Sequence, residues 1–435
     1  MKQVIRCIGL WLAFFPFLAS VAHAAPLDTA LDQGRATEAV PLIEQTWEKQ
    51  YEDYFRVNFP DPSITAVDVA KTLDQLATQT GQKPALIYVV PRAKQLELVL
   101  ITPGQPPVQK RIAAPNSVLL PQVKQFSQAI ADPRLQSSNQ YLPAAQQLYK
   151  WMIAPLEAEL AAQKIDTLIF CLGVGLRTLP LSALHDGQQF LVEKYNLARI
   201  PAFTLTDTLY TDIRRAPVLA MGASSFKEQS PLPSVPVELF LVARNTKSRQ
   251  FFLNQDFTLA NLQRQRTSQA FKIIHLATHA DFQPGKPRNS YIQLWNDKLQ
   301  LNEMQQLRWQ NPSVELLVLS ACRTAIGDRN AELGFAGLAV QAGVKSAIAS
   351  LWYVSDQGTL SLMSEFYRQL QTAPIKAEAL RRSQISLLRK QVRIENGQLH
   401  SSRGPFSLPP ELAVQNEDLS HPYYWAAFTV VGSPW

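Results

Sequence analysis

The chain has 435 residues, of which 46 % are hydrophobic and 18 % are charged, and its formal net charge is +7. The length exceeds the size at which one hydrophobic core stops growing, so we expect two or more domains, and the composition excludes a disordered or fibrous protein. The lysines and arginines are scattered and form no run of five or more, which argues against a nucleic-acid-binding surface.

The first 24 residues are predicted to be a secretory signal peptide. Lys2 and Arg6 give it a positively charged start, residues 8–18 are apolar, and Ala22-His23-Ala24 is a small-x-small cleavage pattern. An uncleaved amphipathic anchor is the alternative. We expect cleavage, and a mature chain that begins near Ala25 in the periplasm or outside the cell. No later stretch is long and apolar enough to span a membrane.

The segment from residue 25 to residue 82 is predicted to be helical. A turn at residues 34–39 is followed by an amphipathic stripe that includes Trp47 and Tyr51, and a second helix lies within residues 60–82. The segment could be one degenerate helical repeat. A single repeat cannot bury its own apolar face, so we expect it to dock onto the rest of the chain or onto a partner.

The rest of the chain alternates between apolar strands and helices, which predicts an α/β fold. Strands are predicted at residues 85–90, 96–101, 168–172, 271–278, 314–320, 344–351 and 425–431, with a further hairpin over residues 290–301. Helices are predicted at residues 118–132, 141–163, 333–342, 355–371 and 376–392, with Ser355 as an N-cap. The polar residues 393–420 are predicted to form a loop.

Two residues with catalytic chemistry follow two of these strands. His279 comes directly after the strand that ends at residue 278, and Cys322 follows the strand that ends at residue 320. The carboxyl ends of parallel strands gather at one edge of a sheet, so neighbouring strands would bring the two side chains together. An imidazole beside a thiol lowers the thiol pKa or takes its proton, which makes the sulfur a nucleophile. As isolated residues, however, a histidine is more often structural and a cysteine a small buried apolar residue.

A disulfide is the other role open to the cysteines of an exported protein. Cys7 lies in the predicted signal peptide, which leaves Cys171 and Cys322. Each lies in or beside an apolar strand pattern, where buried thiols are common, so we expect both to be free. Two cysteines alone cannot form a structural zinc site.

The sequence around both candidates resembles the CHAT family, bacterial relatives of caspases and separase that are often joined to helical repeats. The two main blocks are residues 274–282 (IHLATHADF) and 318–324 (VLSACRT), and the resemblance covers about residues 60–435. Further matching blocks are residues 179–187, 337–339, 341–344, 349–356, 366–367 and 421–428. The resemblance implies a caspase-like, parallel-rich sheet flanked by helices in residues 201–435. A related non-catalytic α/β lobe (pseudo-caspase) would precede it in residues 83–200.

The same resemblance implies peptide-bond hydrolysis through an acyl-enzyme. His279 would be the general base, Cys322 the nucleophile, and the backbone N–H groups of Ala280 and Cys322 the oxyanion donors. Two residues depart from the family pattern, because Ala280 stands where glycine is common and Arg323 where glutamate is common. Alanine costs little unless the position needs a positive φ. Arg323 reverses a charge beside the nucleophile, which could favour the thiolate or alter which residue the cleft accepts.

Asp356 has two interpretations. Its block resembles the separase segment that forms the specificity pocket, and an acidic pocket would select arginine or lysine before the scissile bond. The alternative, which we favour from the sequence, is a helix N-terminal residue stabilised by the helix macrodipole.

Metal and cofactor motifs are weak. His275 and His279 are four residues apart, but they lie on a predicted strand and lack the glutamate of a zinc-peptidase helix, so we expect no metal site and a structural role for His275. Gly173-Val174-Gly175 lacks the third glycine of a dinucleotide loop and predicts only a turn. No P-loop or Gly-x-Ser-x-Gly sequence occurs, and we expect no cofactor.

The sequence therefore predicts an exported cysteine endopeptidase that acts on a polypeptide substrate. One alternative is an interaction module that keeps the caspase fold and cleaves nothing, which Ala280 and Arg323 leave open. Another is a peptidase that stays latent until a protein activator, a helical-repeat partner or a cleavage reorders its loops. Residues 281–290 and 393–420 are the candidate segments for that movement.

Overall fold

The computed structural model describes residues 26–60, 63–246, 248, 250–325, 327–413 and 416–435. The predicted signal peptide lies outside these residues. Among the helices of the described part, none combines the length and the apolar character that a membrane crossing needs.

The N-terminal helical segment consists of α1 (26–32), α2 (Ala36–Phe55) and α3 (Ala66–Thr80). The helices that follow are α4 (Asn116–Ala131), α5 (Leu142–Met152), α6 (Glu157–Ala162), α7 (Leu191–Lys194), α8 (Val235–Asn245), α9 (Leu259–Ser268), α10 (Arg329–Ala336), α11 (Leu338–Ala342), α12 (Asp356–Gln369), α13 (Lys376–Leu388) and α14 (Pro422–Trp425).

The strands in the first half are β1 (Pro84–Pro91), β2 (Leu96–Ile101), β3 (Val108–Ile112), β4 (Thr167–Leu172), β5 (Asn196–Ile200), β6 (Val218–Gly222) and β7 (Phe251–Leu253). The strands in the second half are β8 (Ile273–Phe282), β9 (Tyr291–Gln293), β10 (Lys298–Gln300), β11 (Leu316–Thr324), β12 (Ser346–Ser350), β13 (Arg393–Glu395), β14 (Gln398–Ser401), β15 (Gly404–Ser407) and β16 (Phe428–Gly432).

Thirteen of the described strands form one mixed sheet with two parallel blocks. β7, β6, β8, β11 and β12 are parallel to one another, and so are β16, β5, β4 and β1. The antiparallel pairing of β12 with β16 joins the two blocks. The C-terminal strand β16 therefore completes the sheet of the N-terminal half, and the two halves share one continuous sheet.

Helices cover both faces of this sheet. α8, α12 and α13 pack on one face, which we call the α12 face, and α2, α3, α10 and α11 pack on the other, which we call the α10 face. Strands enclosed in this way are apolar on both sides, as in β4, whose six residues are all buried. The caps follow local rules, since the Ser355 hydroxyl accepts a hydrogen bond from the Gly358 N–H and begins α12 as predicted.

The N-terminal helical segment docks onto the body of the protein, one of the two predicted outcomes. The Trp47 ring of α2 lies 6.0 Å from the Tyr88 ring of β1. The buried Glu44 carboxylate accepts hydrogen bonds from the N–H groups of Phe203 and Thr204 at 3.0 and 2.9 Å. Burial raises the pKa of Glu44, and these backbone donors oppose that shift. The segment is therefore bound by specific polar contacts as well as by apolar packing.

Several predicted elements have different bounds in the structure. The predicted loop over residues 393–420 is wrong in its first part, because β13, β14 and β15 form a separate antiparallel sheet there. Asn396 and Gly397 make the β13–β14 turn, both with positive φ, as type I′ hairpins require. The predicted helix at residues 141–163 is two helices, since a short 3-10 turn containing Pro155 separates α5 from α6.

Close contact between α2 and α10 generates a stability prediction. A Cβ at Gly337 would lie 2.6 Å from the Phe55 ring, although the Gly337 backbone itself accepts alanine. We expect Gly337→Ala to lower the free energy of unfolding by about 1–3 kcal/mol through overpacking, measured by urea denaturation. Phe55→Leu should relieve the clash, so the double variant should lose less than the sum of the two single losses. Additive losses would contradict the contact.

Candidate active site

The candidate active site is built on the parallel pairing of β8 with β11. The prediction that His279 and Cys322 lie on neighbouring strands is confirmed, with Ala321 opposite His279 and Cys322 opposite Ala280. The expectation that both residues follow the strand ends is wrong, since β8 continues to Phe282. Both strands are longer than predicted because β8 and β11 remain paired as far as Phe282 and Thr324. β9 also pairs with β8 at Ala280.

The strand register places the two side chains on opposite faces of the sheet. Paired residues of neighbouring strands share a face, and successive residues alternate. His279 therefore shares a face with Asp281 and Arg323, which form an ion pair at 2.9 Å. Cys322 points to the α10 face. Within the part of the chain that the structure describes, no hydrogen bond joins His279 to Cys322.

The imidazole of His279 is oriented by the loop that precedes α8. Its Nε2 lies 2.8 Å from the Ser230 carbonyl oxygen, and because a carbonyl can only accept, Nε2 carries the proton. The ring centroids of Phe226 and Tyr353 lie 4.7 and 5.9 Å from that of His279. The ring is thus held in one orientation between two aromatic side chains.

The charge state of His279 suits a general base. Burial lowers its pKa, and the Arg323 guanidinium adds to that effect, while the Ser230 carbonyl and the Asp281 carboxylate oppose it. A lowered pKa keeps the imidazole neutral at pH 7. With the proton on Nε2, Nδ1 carries the free lone pair and can accept a proton.

Cys322 is fully buried and has no such activation in this state. Its Sγ lies 3.5 Å from the Leu319 carbonyl oxygen, and burial raises its pKa to about 12. The Asp281 charge also raises the Cys322 pKa, while Arg323 acts on His279 instead. In this arrangement the side chains of Arg323 and Cys322 point to opposite faces, so the guanidinium does not lie beside the thiol.

One of the two predicted oxyanion donors, the Cys322 N–H, is engaged within the sheet, and the other, at Ala280, lies between two paired strands. The Cys322 N–H donates to the Ser350 hydroxyl at 3.1 Å, and the same hydroxyl donates to the Cys322 carbonyl at 3.0 Å. Ala280 lies between Cys322 on one side and Ile292 on the other, where strand backbone groups are ordinarily used in pairing. Neither N–H group faces an open position in this arrangement.

Asp356 is the first residue of α12, the position that its second interpretation required. Its carboxylate accepts a hydrogen bond from the Ser234 N–H, at the start of α8. Burial raises the pKa of Asp356 to about 6, against the opposing effect of that hydrogen bond. Asp356 thereby anchors the C-terminal end of the loop before α8. The same loop contains Ser230, whose carbonyl orients His279.

The predicted structural role of His275 fits its surroundings. This buried residue of β8 lies 2.9 Å from the Glu238 carboxylate and 3.1 Å from the Tyr367 hydroxyl, on α8 and α12. Among the described residues, no group of three or more histidine, cysteine or acidic side chains could hold a metal ion. Cys171 and Cys322 are both free and buried, as expected.

Sequence reasoning missed Ser230 and Ser350, the partners of the two candidate residues. Ser230 acts through its carbonyl, which every residue type carries, so no sequence signal could identify it. Ser350 ends β12, which was predicted as a strand and pairs with the Cys322 strand in the structure.

The CHAT domain family model matches residues 142–433. The chain belongs to the CHAT domain family. A search of curated proteins found no match. Among solved structures, the CHAT chain is similar to separase in the Saccharomyces cerevisiae separase–securin complex, with a TM-score of 0.53, 10 % identity and 93 % of this chain covered. The match covers 34 % of that separase chain, so this protein spans about a third of its length.

A second solved structure, the complex of the Porphyromonas gingivalis RgpB pro- and mature domains, is also similar. Its TM-score is 0.40 at 10 % identity, covering 73 % of this chain and 75 % of that one. The likeness to separase shows that the CHAT domain has a caspase-like fold, as predicted.

The burial of Cys322 predicts low thiol reactivity. The Cys322 thiol is buried and its pKa is raised. At pH 8 Ellman's reagent should therefore modify far less than one thiol per chain of the native CHAT protein within minutes. In urea both Cys171 and Cys322 should react, and Cys171→Ser should leave one. Rapid modification of native Cys322, mapped by mass spectrometry, would show that the buried arrangement does not persist in solution.

The raised pKa of Asp356 predicts a pH dependence of stability. Between about pH 4 and pH 6 the unfolded chain releases a proton that the folded chain keeps, so this group lowers the free energy of unfolding as pH rises. Asp356→Asn keeps an acceptor for Ser234 without titrating. Relative to wild type it should gain about 1–3 kcal/mol between pH 4 and pH 7 in urea unfolding.

Asp132→Asn is the matched control, because Arg134 lowers the pKa of the half-buried Asp132. That variant should show no relative gain with rising pH. An equal gain in both variants would contradict the assignment to Asp356.

Proposed function

We propose that this CHAT protein is an exported, latent cysteine endopeptidase that uses His279 and Cys322. The observation that carries the proposal is the oriented imidazole of His279 on the strand that pairs directly with the Cys322 strand. With Nε2 donating to the Ser230 carbonyl, Nδ1 of His279 is free to accept a proton. Membership of the CHAT family supports the same chemistry.

In the active arrangement, Nδ1 of His279 takes the proton of the Cys322 thiol. The thiolate attacks the carbonyl carbon of the scissile peptide bond, and the C–N bond breaks as the imidazolium returns the proton to the leaving amine. Water, deprotonated by the same imidazole, then hydrolyses the thioester and restores the thiol. The backbone N–H groups of Ala280 and Cys322 are the proposed donors to the oxyanion.

The proposed latency is explained by the reorientation of Cys322 that this reaction requires. Rotation of the backbone at residues 321–323 would turn the thiol from the α10 face toward His279. The same rotation would release the Cys322 N–H from Ser350, so one movement prepares both nucleophile and oxyanion donor. β11 ends at Thr324, shortly before α10 begins at Arg329. The end of β11 is therefore a further candidate for this movement, beside the predicted segments 281–290 and 393–420.

The buried and protonated Cys322 favours a second candidate, a caspase-fold interaction module that cleaves nothing. A thiol whose pKa is raised to about 12 is a poor nucleophile at neutral pH. If no condition exposes Cys322, the fold serves binding alone.

Export is part of the proposal and rests on the first 24 residues. A charged start, an apolar core and the Ala22-His23-Ala24 pattern are typical of a signal peptide. The polypeptide substrate would then be met in the periplasm or outside the cell.

An electrophilic peptide probe tests the dyad. The mature protein is incubated with peptidyl acyloxymethyl ketones, alone and after limited proteolysis, and the modified residue is mapped by mass spectrometry. We expect modification at Cys322 after activation. His279→Ala should slow the modification about 100-fold or more, since general-base catalysis contributes about 10²–10⁴-fold. Cys322→Ala should abolish it, and Cys171→Ala should leave it unchanged.

The probe series also tests the specificity pocket proposed for Asp356. If Asp356 forms the pocket, probes with arginine before the electrophile react faster than matched alanine probes and Asp356→Asn removes that preference; the favoured helix N-terminal role predicts equal rates. Equal rates for the two probes would refute the pocket without touching the dyad. Absence of Cys322 modification under every condition would instead favour the interaction module.

A further inference from the structure

A groove of about 980 Å³ lies on the α10 face, away from His279. One wall is the C-terminal half of α2, from Gln45 to Tyr54. The opposite wall is formed by Gly285–Pro287, after β8, and by the first turns of α10 with Arg329 and Leu333. The groove is therefore bounded by the N-terminal helical segment on one side and by the element that follows Cys322 on the other.

The charges of this groove are unevenly paired. Its acidic side chains are all engaged, since Glu52 and Asp53 pair with Lys49 at 3.5 and 2.8 Å and Glu48 accepts a hydrogen bond from the Thr204 hydroxyl. Three exposed cations, in contrast, have no ion pair among the described residues. They are Arg56, Lys286 and Arg329. The lining holds four cations and three carboxylates, a net charge of +1 (4 − 3), and the three cations without an ion pair lie on both walls.

The dimensions of the groove fit an extended polypeptide segment. The α2 wall from Gln45 to Tyr54 is about 14 Å long at 1.5 Å per residue. An extended chain advances about 3.3 Å per residue, so the wall accommodates about four residues. Cations on both walls would each meet a carboxylate of such a segment.

The groove is connected to Cys322 through α10, which contacts both. α10 packs on the face to which the thiol points, with Phe335 of α10 5.5 Å from Phe282 of β8, ring to ring. α10 in turn is seated against α2, because Gly334 and Gly337 allow the Tyr54 hydroxyl and the Phe55 ring to approach its backbone. A ligand that binds both walls therefore acts on the helix that covers the nucleophile.

We propose that this groove binds an acidic, extended segment of a protein partner, and that the bound segment shifts α10 and exposes Cys322. Binding of the segment to the groove does not depend on the proposed peptidase activity. The shift of α10, in contrast, rests on the proposed function, because it exposes the proposed nucleophile Cys322. The ligand can change the exposure of Cys322 only if it binds the shifted arrangement more tightly. Arg329, at the first position of α10, is the residue through which this difference acts.

The test uses fluorescein-labelled tetraglutamate amide as a probe of the mature full-length protein. Fluorescence anisotropy should show binding that weakens with added salt, with matched tetraglutamine and tetralysine peptides at least about tenfold weaker. The variant R56E/K286E/R329E should lose binding by at least about tenfold. The control K71E/K124E/K150E reverses three exposed lysines outside the groove and should bind normally.

A second measurement follows the carbamidomethylation of Cys322 by iodoacetamide, which requires exposure but no catalysis. Saturating tetraglutamate should raise the rate at least about threefold in wild type and leave it unchanged in R56E/K286E/R329E. Binding that survives the triple reversal, or a rate unchanged at saturation, would overturn the proposal. Exposure of Cys322 without peptide cleavage would support it while refuting the proposed peptidase function.

Discussion

The parallel pairing of β8 with β11 determines the geometry of the whole candidate site. The Ala321–His279 register brings the base and the nucleophile to positions one residue apart on adjacent strands. The same register, through strand alternation, sends their side chains to opposite faces. The register shift between Leu319 and Ala321 shows that the pairing is already irregular at this point. A local change at the end of β11 thus decides between separation and contact, while the rest of the sheet stays fixed.

The two faces of the sheet prepare the two residues unequally. On the α12 face, the Ser230 carbonyl and two aromatic rings hold His279, and Asp356 fastens the same loop through Ser234. On the α10 face, burial keeps Cys322 protonated, and the Ser350 hydroxyl engages its N–H. His279 is thus held in one orientation, whereas Cys322 is buried and protonated. For the proposed peptidase, a change at Cys322 alone would be sufficient for activation.

Apolar runs and caps allowed much of the fold to be predicted. The buried strand at residues 168–172 and the Ser355 cap depend on local sequence, so their patterns were decisive. The ends of β8 and β11 could not be predicted, because residues 279–282 and 321–324 mix polar and apolar types. The end of β8 pairs with β9 on one side and with β11 on the other, so its extension depends on contacts between separate elements. For β13–β14 the signal existed, since Asn396-Gly397 is a strong hairpin turn.

The N-terminal helical segment packs against α10, the helix on the face of the sheet to which Cys322 points. α2 contributes Tyr54 and Phe55 to the contact with α10, and Gly334 of α10 and Gly337 at its C-terminal cap allow that contact without intervening side chains. Contacts of this closeness leave little space for independent movement, since well-packed elements shift together. α10 also begins shortly after Cys322, so its position constrains the rotation that the nucleophile needs. A change in the α2–α10 contact would consequently move α10 and alter the burial of Cys322. This contact links the N-terminal helices to the candidate site.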